Sequence, residues 1–257
     1  MFAPDAAPTQ NPLCGAPEFT RTESRGNVPA LGRRLSPPFL REPSLMLSPL
    51  RFEPACAQPA LPVAAASVIR YAAGEEIFAE GDRADHVYEL VEGTVRTGRL
   101  LRDGRRQIDA FHFVGEAFGF EAGEVRRTTA EAVSEVTVRI VRRRALSDLA
   151  ARDGQVARQL YQLTISGLQR SQDHVLMLGR RSACERVAGL LLLLADRTGE
   201  AAFDLPMSRQ DMADYLGLTI ETVSRTLTGF LQEGLIALPT VRHVELLDRD
   251  ALEALCE

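Results

Sequence analysis

The sequence predicts an α+β chain: a many-stranded β-roll of the jelly-roll kind, a long dimerisation helix, and a C-terminal domain of winged helix-turn-helix form. Three observations carry this. Residues 68–141 hold short alternating apolar runs punctuated by glycine, which suits an antiparallel roll better than a parallel sheet. From Ala145 the apolar period becomes helical. Residues 208–234 carry two helix caps around a glycine turn, at helix-turn-helix spacing.

Ten of the 14 prolines lie in residues 1–58, and no hydrophobic period survives there. Such a segment buries too little apolar area to offset its ordering entropy, so 1–58 is expected to be a disordered tail. The roll is expected over 59–144. Tyr71 to Gly74 turns into a short strand at Ile77-Phe78, and Glu80-Gly81-Asp82 turns again. His86 to Leu90 alternates as a strand should. Thr94–Leu101 and Arg105–Phe113 flank Asp103-Gly104, a strong hairpin signal. Thr128–Val133 and Val136–Val141 complete the set.

Residues 145–180 are expected to be the dimerisation helix. Tyr161, Ile165, Leu168, Gln172 and Val175 keep a/d spacing, with Leu160 and Leu163 beside them. The stripe can pack on its own roll or pair with a second copy. Its continuation over several turns favours a parallel, coiled-coil-like homodimer.

Residues 181–257 are expected to fold as the second domain. Cys184 to Ala195 is an apolar helix ended by Thr198-Gly199. Ser208-Arg-Gln-Asp211 has the form of an N-cap with an acidic third residue. Met212, Ala213 and Leu216 supply that helix's buried stripe, and Gly217 ends it. Thr219 caps a second helix reaching about Gln232, with Val223, Leu227, Phe230 and Leu231 turned inward. Glu221, Ser224 and Arg225 share the opposite face of its first turns, the part that enters the major groove in this motif. Arginine can donate twice to guanine O6 and N7, and glutamate can accept from cytosine N4. An exposed Glu–Arg pair also occurs on ordinary solvated helices. The caps, the glycine turn and the placement together select DNA reading. Thr219, Ile220, Thr222, Ser208 and Arg209 surround these three as further DNA-binding candidates. Leu235–Leu238 and Val241–Leu247 form a wing about Pro239-Thr240, and Asp248 caps a last short helix.

Composition narrows the partners. The chain has 257 residues and a net charge of −5, and all 30 of its basic residues are arginine. Residues 181–257 carry 7 arginines against 13 carboxylates, a net of −6. A polybasic nucleic-acid binder is therefore excluded, but a reader with a few placed arginines is not. Arginine's planar fork suits base and phosphate recognition. Lysine is missing from the tail as well, so composition bias explains its absence better. The longest apolar run, Val187–Ala195, is far short of the roughly 20 residues of a spanning helix. No basic segment precedes an apolar one at the start, so a cytoplasmic protein without membrane association is expected. Cys14, Cys56, Cys184 and Cys256 stand apart, with no metal-ligand spacing. His86 and His112 likewise lack ligand spacing, so no metal or cofactor is expected. No nucleophile–His–carboxylate set and no phosphate loop is recognisable, so the chain is not expected to be an enzyme. Cys184 stands beside Arg180, Arg181 and Arg186, which would activate an exposed thiol, so it is a candidate redox position.

From about residue 68 onward the sequence resembles the CRP/FNR superfamily of bacterial transcription regulators. Gly115-Glu-Ala-Phe-Gly119-Phe-Glu-Ala122 is similar to the Gly-acidic-x-x-Gly-Phe-acidic-Ala motif of the FNR branch. Leu205 to Arg225 is similar to the FixK type nearly residue for residue. The resemblance implies a cyclic-nucleotide-binding-like roll and a homodimer that works with RNA polymerase. It implies activation from a pseudo-palindrome of TTGAT-type half-sites at microaerobic and nitrogen-fixation genes. The family's base-reading Glu, Ser and Arg fall on Glu221, Ser224 and Arg225. FNR's cysteine cluster has no counterpart, since 68–141 contains no cysteine. CRP grips a cyclic nucleotide with a glutamate and an Arg-Ser/Thr pair, for which Glu116, Arg127 and Thr128 are the candidate remnants. The Gly-Phe-Glu-Ala form belongs to the branch without nucleotide, so no small-molecule effector is expected. A ligand-gated regulator of the CRP type is the alternative.

Overall fold

The computed structural model describes residues 61–62, 66–179 and 182–256. All of them lie in one compact unit, residues 46–257. The tail expected over 1–58 lies outside the described residues.

The roll begins with β1 (Ser67–Tyr71) and β2 (Glu76–Phe78), followed by β3 (His86–Glu92), β4 (Val95–Leu100) and β5 (Arg106–His112). Then come β6 (Ala117–Phe118), β7 (Thr129–Ala132) and β8 (Val136–Arg142). These form two antiparallel sheets, ordered β1-β8-β3-β6 and β2-β7-β4-β5. The Asp103-Gly104 hairpin joins β4 to β5, paired from Val95↔His112 to Leu100↔Arg106. Inward positions of both sheets bury Leu90, Val95, Val136 and Val138, with Phe78, Tyr88 and Phe118 clustered among them. Burial of such side chains stabilises by about 1.5–3 kcal/mol apiece. Gly119 has φ +80°, and a Cβ there would meet the Arg126 guanidinium at 2.9 Å and the Tyr88 ring at 3.0 Å. Only glycine fits that turn without strain.

The helical stretch expected over 145–180 is two helices, α1 (Arg143–Ala150) and α2 (Gly154–Gly179). Asp153 makes the break, its carboxylate accepting from the Gln155 N–H at 2.8 Å. Asx capping competes with helix continuation, which a smooth apolar period does not reveal. One face of α2 buries Val156, Leu163, His174 and Met177. Tyr161, Leu168 and Val175, seven residues apart, are exposed on another.

The C-terminal elements are α3 (Ala183–Thr198), β9 (Ala202–Asp204), α4 (Arg209–Leu216) and α5 (Ile220–Gln232), then β10 (Ile236–Ala237), β11 (His243–Leu246) and α6 (Arg249–Ala254). The wing hairpin β10–β11 gains β9 as a third strand, in order β10-β11-β9. Leu190, Leu191, Met212, Leu216, Leu227 and Leu252 are fully buried in the core of this domain. Ile108 and Phe111 of β5 and Met177 of α2 join the same core. Leu231 corrects the expected inward face: it is 46% exposed, while Thr226 is buried. At 100° per residue, Leu231 falls off the line through Val223, Leu227 and Phe230.

Candidate nucleic-acid interface

The helix-turn-helix is built from two capped helices. Ser208 Oγ accepts from the Asp211 N–H at 3.1 Å, and Asp211 Oδ2 accepts from the Ser208 N–H at 3.1 Å. This reciprocal box satisfies two of the donors that a helix start leaves open. The Ser208 hydroxyl proton also goes to Asp211 Oδ2, at 2.7 Å, so this candidate's donor is already engaged. Gly217 ends α4 at φ +62°, the left-handed conformation that turns the chain toward α5. Thr219 Oγ1 then accepts from the Thr222 N–H at 3.2 Å and starts α5.

Val223, Leu227 and Phe230 bury one face of α5. Glu221 and Arg225 are exposed on the other, Ser224 is half-buried and Ile220 is 37% exposed. Arg225 makes no hydrogen bond or salt bridge among the described residues, which leaves its fork open. A backbone N–H bond and the Thr219 hydroxyl hold the Glu221 carboxyl below its usual range, with a smaller contribution from Arg225. Thr222 sits half-buried against Thr219, their hydroxyls 3.1 Å apart. Arg209 is half-buried at the first position of α4, and its Nε is buried with no hydrogen-bond partner among the described residues. Thus Glu221, Ser224 and Arg225 fall together on the first turns of α5, while Ser208 and Thr219 serve as caps.

A second set of contacts was not legible in the sequence. Asp211 and Asp214 of α4 meet two arginines of the roll. Arg96 Nη1 donates to Asp211 Oδ1 at 2.8 Å, and Arg106 Nη2 donates to the same oxygen at 2.5 Å. Arg106 Nε donates to Asp214 Oδ2 at 2.8 Å. Glu131 of β7 accepts from Arg96 Nε at 2.8 Å. One clue existed: two acids at i and i+3 on α4 with no cation at helical spacing beside them. Its answer lies more than 100 residues away, where no local pattern reaches.

The candidate nucleotide residues separate. Arg127 and Thr128 line a cavity of 570 Å³ between the roll and α2, together with Thr97, Arg170 and Tyr215. Glu116 does not line that cavity. It is buried, and its carboxylate accepts from Arg197 of α3 at 2.5 Å and from the Phe113 N–H at 3.2 Å. Arg126 is 2% exposed, donates to the Gly119 and His86 carbonyls and lies 4.1 Å over the Phe78 ring. Glu116 and Arg126 are thus both engaged within the fold. Cys184 is exposed in the first turn of α3, while Arg180 and Arg181 lie outside the described residues. Among the described residues there is no cluster of three or more His, Cys, Asp or Glu that could hold a metal. None of their helices is long and apolar enough to cross a membrane.

A roll bearing a long helix and ending in a winged helix-turn-helix defines a DNA-binding regulator with a sensor-type domain. The Crp-like helix-turn-helix domain family matches residues 185–255, and the cyclic nucleotide-binding domain family matches 68–153. The nitrogen fixation regulation protein FixK of Rhizobium meliloti (strain 1021) is 46% identical over 190 residues, 74% of this chain and 87% of that protein. FixK of Azorhizobium caulinodans is 49% identical over 191 residues, 72% of this chain and 77% of that protein. The structure of FixK2 from Bradyrhizobium japonicum superposes with a TM-score of 0.71 at 43% identity, covering 75% of this chain and 98% of that one. The chain belongs to the CRP/FNR family of transcription regulators, with FixK-type relatives.

Proposed function

We propose that the protein is a non-enzymatic transcription activator that binds DNA as a homodimer at pseudo-palindromes of TTGAT-type half-sites. The exposed Arg225 fork on the first turns of α5, opposite that helix's buried face, carries the reading. Arg225 and Glu221 would read one G·C pair of each half-site, with Ser224, Thr222 and Ile220 beside them. Thr219, Ser208 and Arg209 would sit at the phosphates, where helix N-termini favour anions. In this division the sensor-type roll spans 59–144, the dimer segment 145–180 and the DNA-binding domain 181–257.

The exposed stripe Tyr161, Leu168 and Val175, with Ile165 and Gln172 along it, supports self-association through α2. A dimer joined there would present two recognition helices about one DNA turn apart, roughly 34–36 Å. Its action on nitrogen-fixation genes follows the names of its FixK relatives, while microaerobic genes, RNA polymerase and a cytoplasmic location are what the sequence resemblance implies. A gel-shift on a TTG-N8-CAA duplex tests the reading. A specific shift, lost when the TTG and CAA ends are scrambled, is expected.

A ligand-gated regulator is the second reading, favoured by the 570 Å³ cavity with Arg127 and Thr128 in its wall. The engagement of Glu116 by Arg197, and of Arg126 by backbone carbonyls, supports a roll that takes no cyclic nucleotide. Micromolar cyclic AMP binding by calorimetry would reverse that assignment.

A further inference from the structure

We infer that Arg96 and Arg106 of the roll are positioning residues for DNA recognition: their grip on Asp211 and Asp214 sets the half-site spacing that the dimer accepts. The inference rests on the DNA-reading assignment above and adds a determinant that lies outside the reading head.

Asp211 does two jobs with its two oxygens. Oδ2 closes the capping box at the start of α4, accepting from the Ser208 N–H and hydroxyl. Oδ1 receives one guanidinium N–H from β4 and another from β5, at 2.8 and 2.5 Å. Arg106 divides its fork, sending Nε to Asp214 one turn along the same helix. Behind them Glu131 of β7 holds Arg96 at 2.8 Å and stands 3.7 Å from Arg106. The side chains of Asp211 and Asp214 are 5% and 12% exposed, and that of Arg96 is 17% exposed. Arg106 is 30% exposed, but little water reaches the two acids, so the contacts on them are directional.

Direction is what the apolar contacts between α4 and the roll lack, while the Glu116–Arg197 pair joins the roll to α3 and His174 ties α2 to the Tyr215 carbonyl. Phe111 meets Tyr215 at 5.2 Å between ring centroids, an apolar contact that tolerates sliding. Two guanidinium planes on two carboxylates, one helical turn apart, do not. They fix both the position of α4 on the roll and its rotation about its own axis.

The effect passes from α4 to α5 because the two helices share one core through Met212, Ala213, Leu216, Val223 and Leu227. In a two-fold dimer any displacement of α5 counts twice. One base pair of spacing corresponds to about 3.4 Å along the axis and about 35° of rotation. A slip of about 1.7 Å together with a turn of about 18° in each protomer would therefore match a spacer longer or shorter by one pair. Buried charge pairs of this kind are best attested as devices that specify register.

The test measures the affinity of the full-length protein for duplexes whose two half-sites are separated by the preferred spacer, or by one or two base pairs more or fewer. Wild type is compared with the double variant R96A/R106A and with Asp214→Asn, which removes one arm and leaves the capping box whole. Cooperative melting and the dimer's sedimentation are checked for each. For R96A/R106A the preference for the best spacer over its neighbours should fall about tenfold, the weight of a charge-assisted contact. D214N should move it less, in the same direction. Equal weakening on every spacer, tighter binding at an unchanged preference, or no change would each overturn the inference. If R96A/R106A does not fold, D214N alone decides, by the same outcomes. Wild-type protein that binds no spacer would overturn the DNA-reading assignment, and this inference with it.

Discussion

The imidazole of His174 lies flat on the ring of Tyr215, centroids 3.9 Å apart and planes within 1° of parallel. His174 Nε2 also sits 2.8 Å from the Tyr215 carbonyl oxygen. One residue belongs to the long helix and the other to the first helix of the reading head. Burial holds the imidazole below its ordinary range, so it is neutral at physiological pH and Nε2–H can donate to that carbonyl. A depressed histidine pKa favours the native state above the unfolded value and loses that contribution as pH falls below it. Between pH 7 and 5.5, His174→Gln should show a shallower fall in melting temperature than wild type. Parallel curves would remove His174 as a cause of acid sensitivity.

His112 should act in the same direction over a wider window. Burial pushes its pKa from 6.5 down to about 4, against the opposing pull of Glu116. The native state therefore loses stability from about pH 6.5 downward until the folded group titrates near 4, a loss of roughly 3 kcal/mol at most. Urea unfolding of His112→Asn at pH 7 and pH 5 checks this: its loss between the two should be smaller than that of wild type.

Arg225→Ala should cost about 1–3 kcal/mol per half-site and relax discrimination at one base position. Competition with single-pair variants of the site measures it. Equal loss on all sequences would assign Arg225 to phosphate rather than to a base. Since the DNA-binding segment is net acidic, the salt slope should also be modest, reflecting a small number of phosphate contacts.

Leu168→Asp places a charge in the middle of the exposed α2 stripe, where Leu168 is 53% accessible in a single chain. Sedimentation should shift toward monomer while melting stays cooperative, because the buried face of α2 is untouched. Binding to a palindrome should fall much more than binding to one half-site. An unchanged dimer would send the subunit contact elsewhere.

Arg126→Met should destabilise the roll by about 2–4 kcal/mol, because the Gly119 and His86 carbonyls lose their donor inside the core. Chemical denaturation measures this. An unchanged stability of the roll would show that these two hydrogen bonds contribute nothing to it.

What the sequence makes legible follows the range of the interaction. Caps, turns and periods act over a few residues, so Ser208, Gly217, Thr219 and the Asp103-Gly104 hairpin are visible before any coordinates. Strands of two or three residues, such as Ala117–Phe118 and Ala202–Asp204, are too short to show alternation and form because a neighbour completes them. Glu116, a candidate remnant of a nucleotide pocket, sits against Arg197, 81 positions later, a pairing that neither segment encodes alone. The grip of Arg96 on Asp211 was hidden for the same reason.

The double duty of Asp211 limits how this molecule can be rebuilt. A chimera that carries residues 205–257 onto a different roll keeps both caps and the exposed face of α5. It arrives, however, with a carboxylate pair made for two strand-borne guanidiniums. Without matching arginines on the host those acids are buried unpartnered, and the graft should aggregate or swivel freely. The helix-turn-helix end is therefore not a portable cassette, and its compatibility with a host is decided by two side chains that lie outside it.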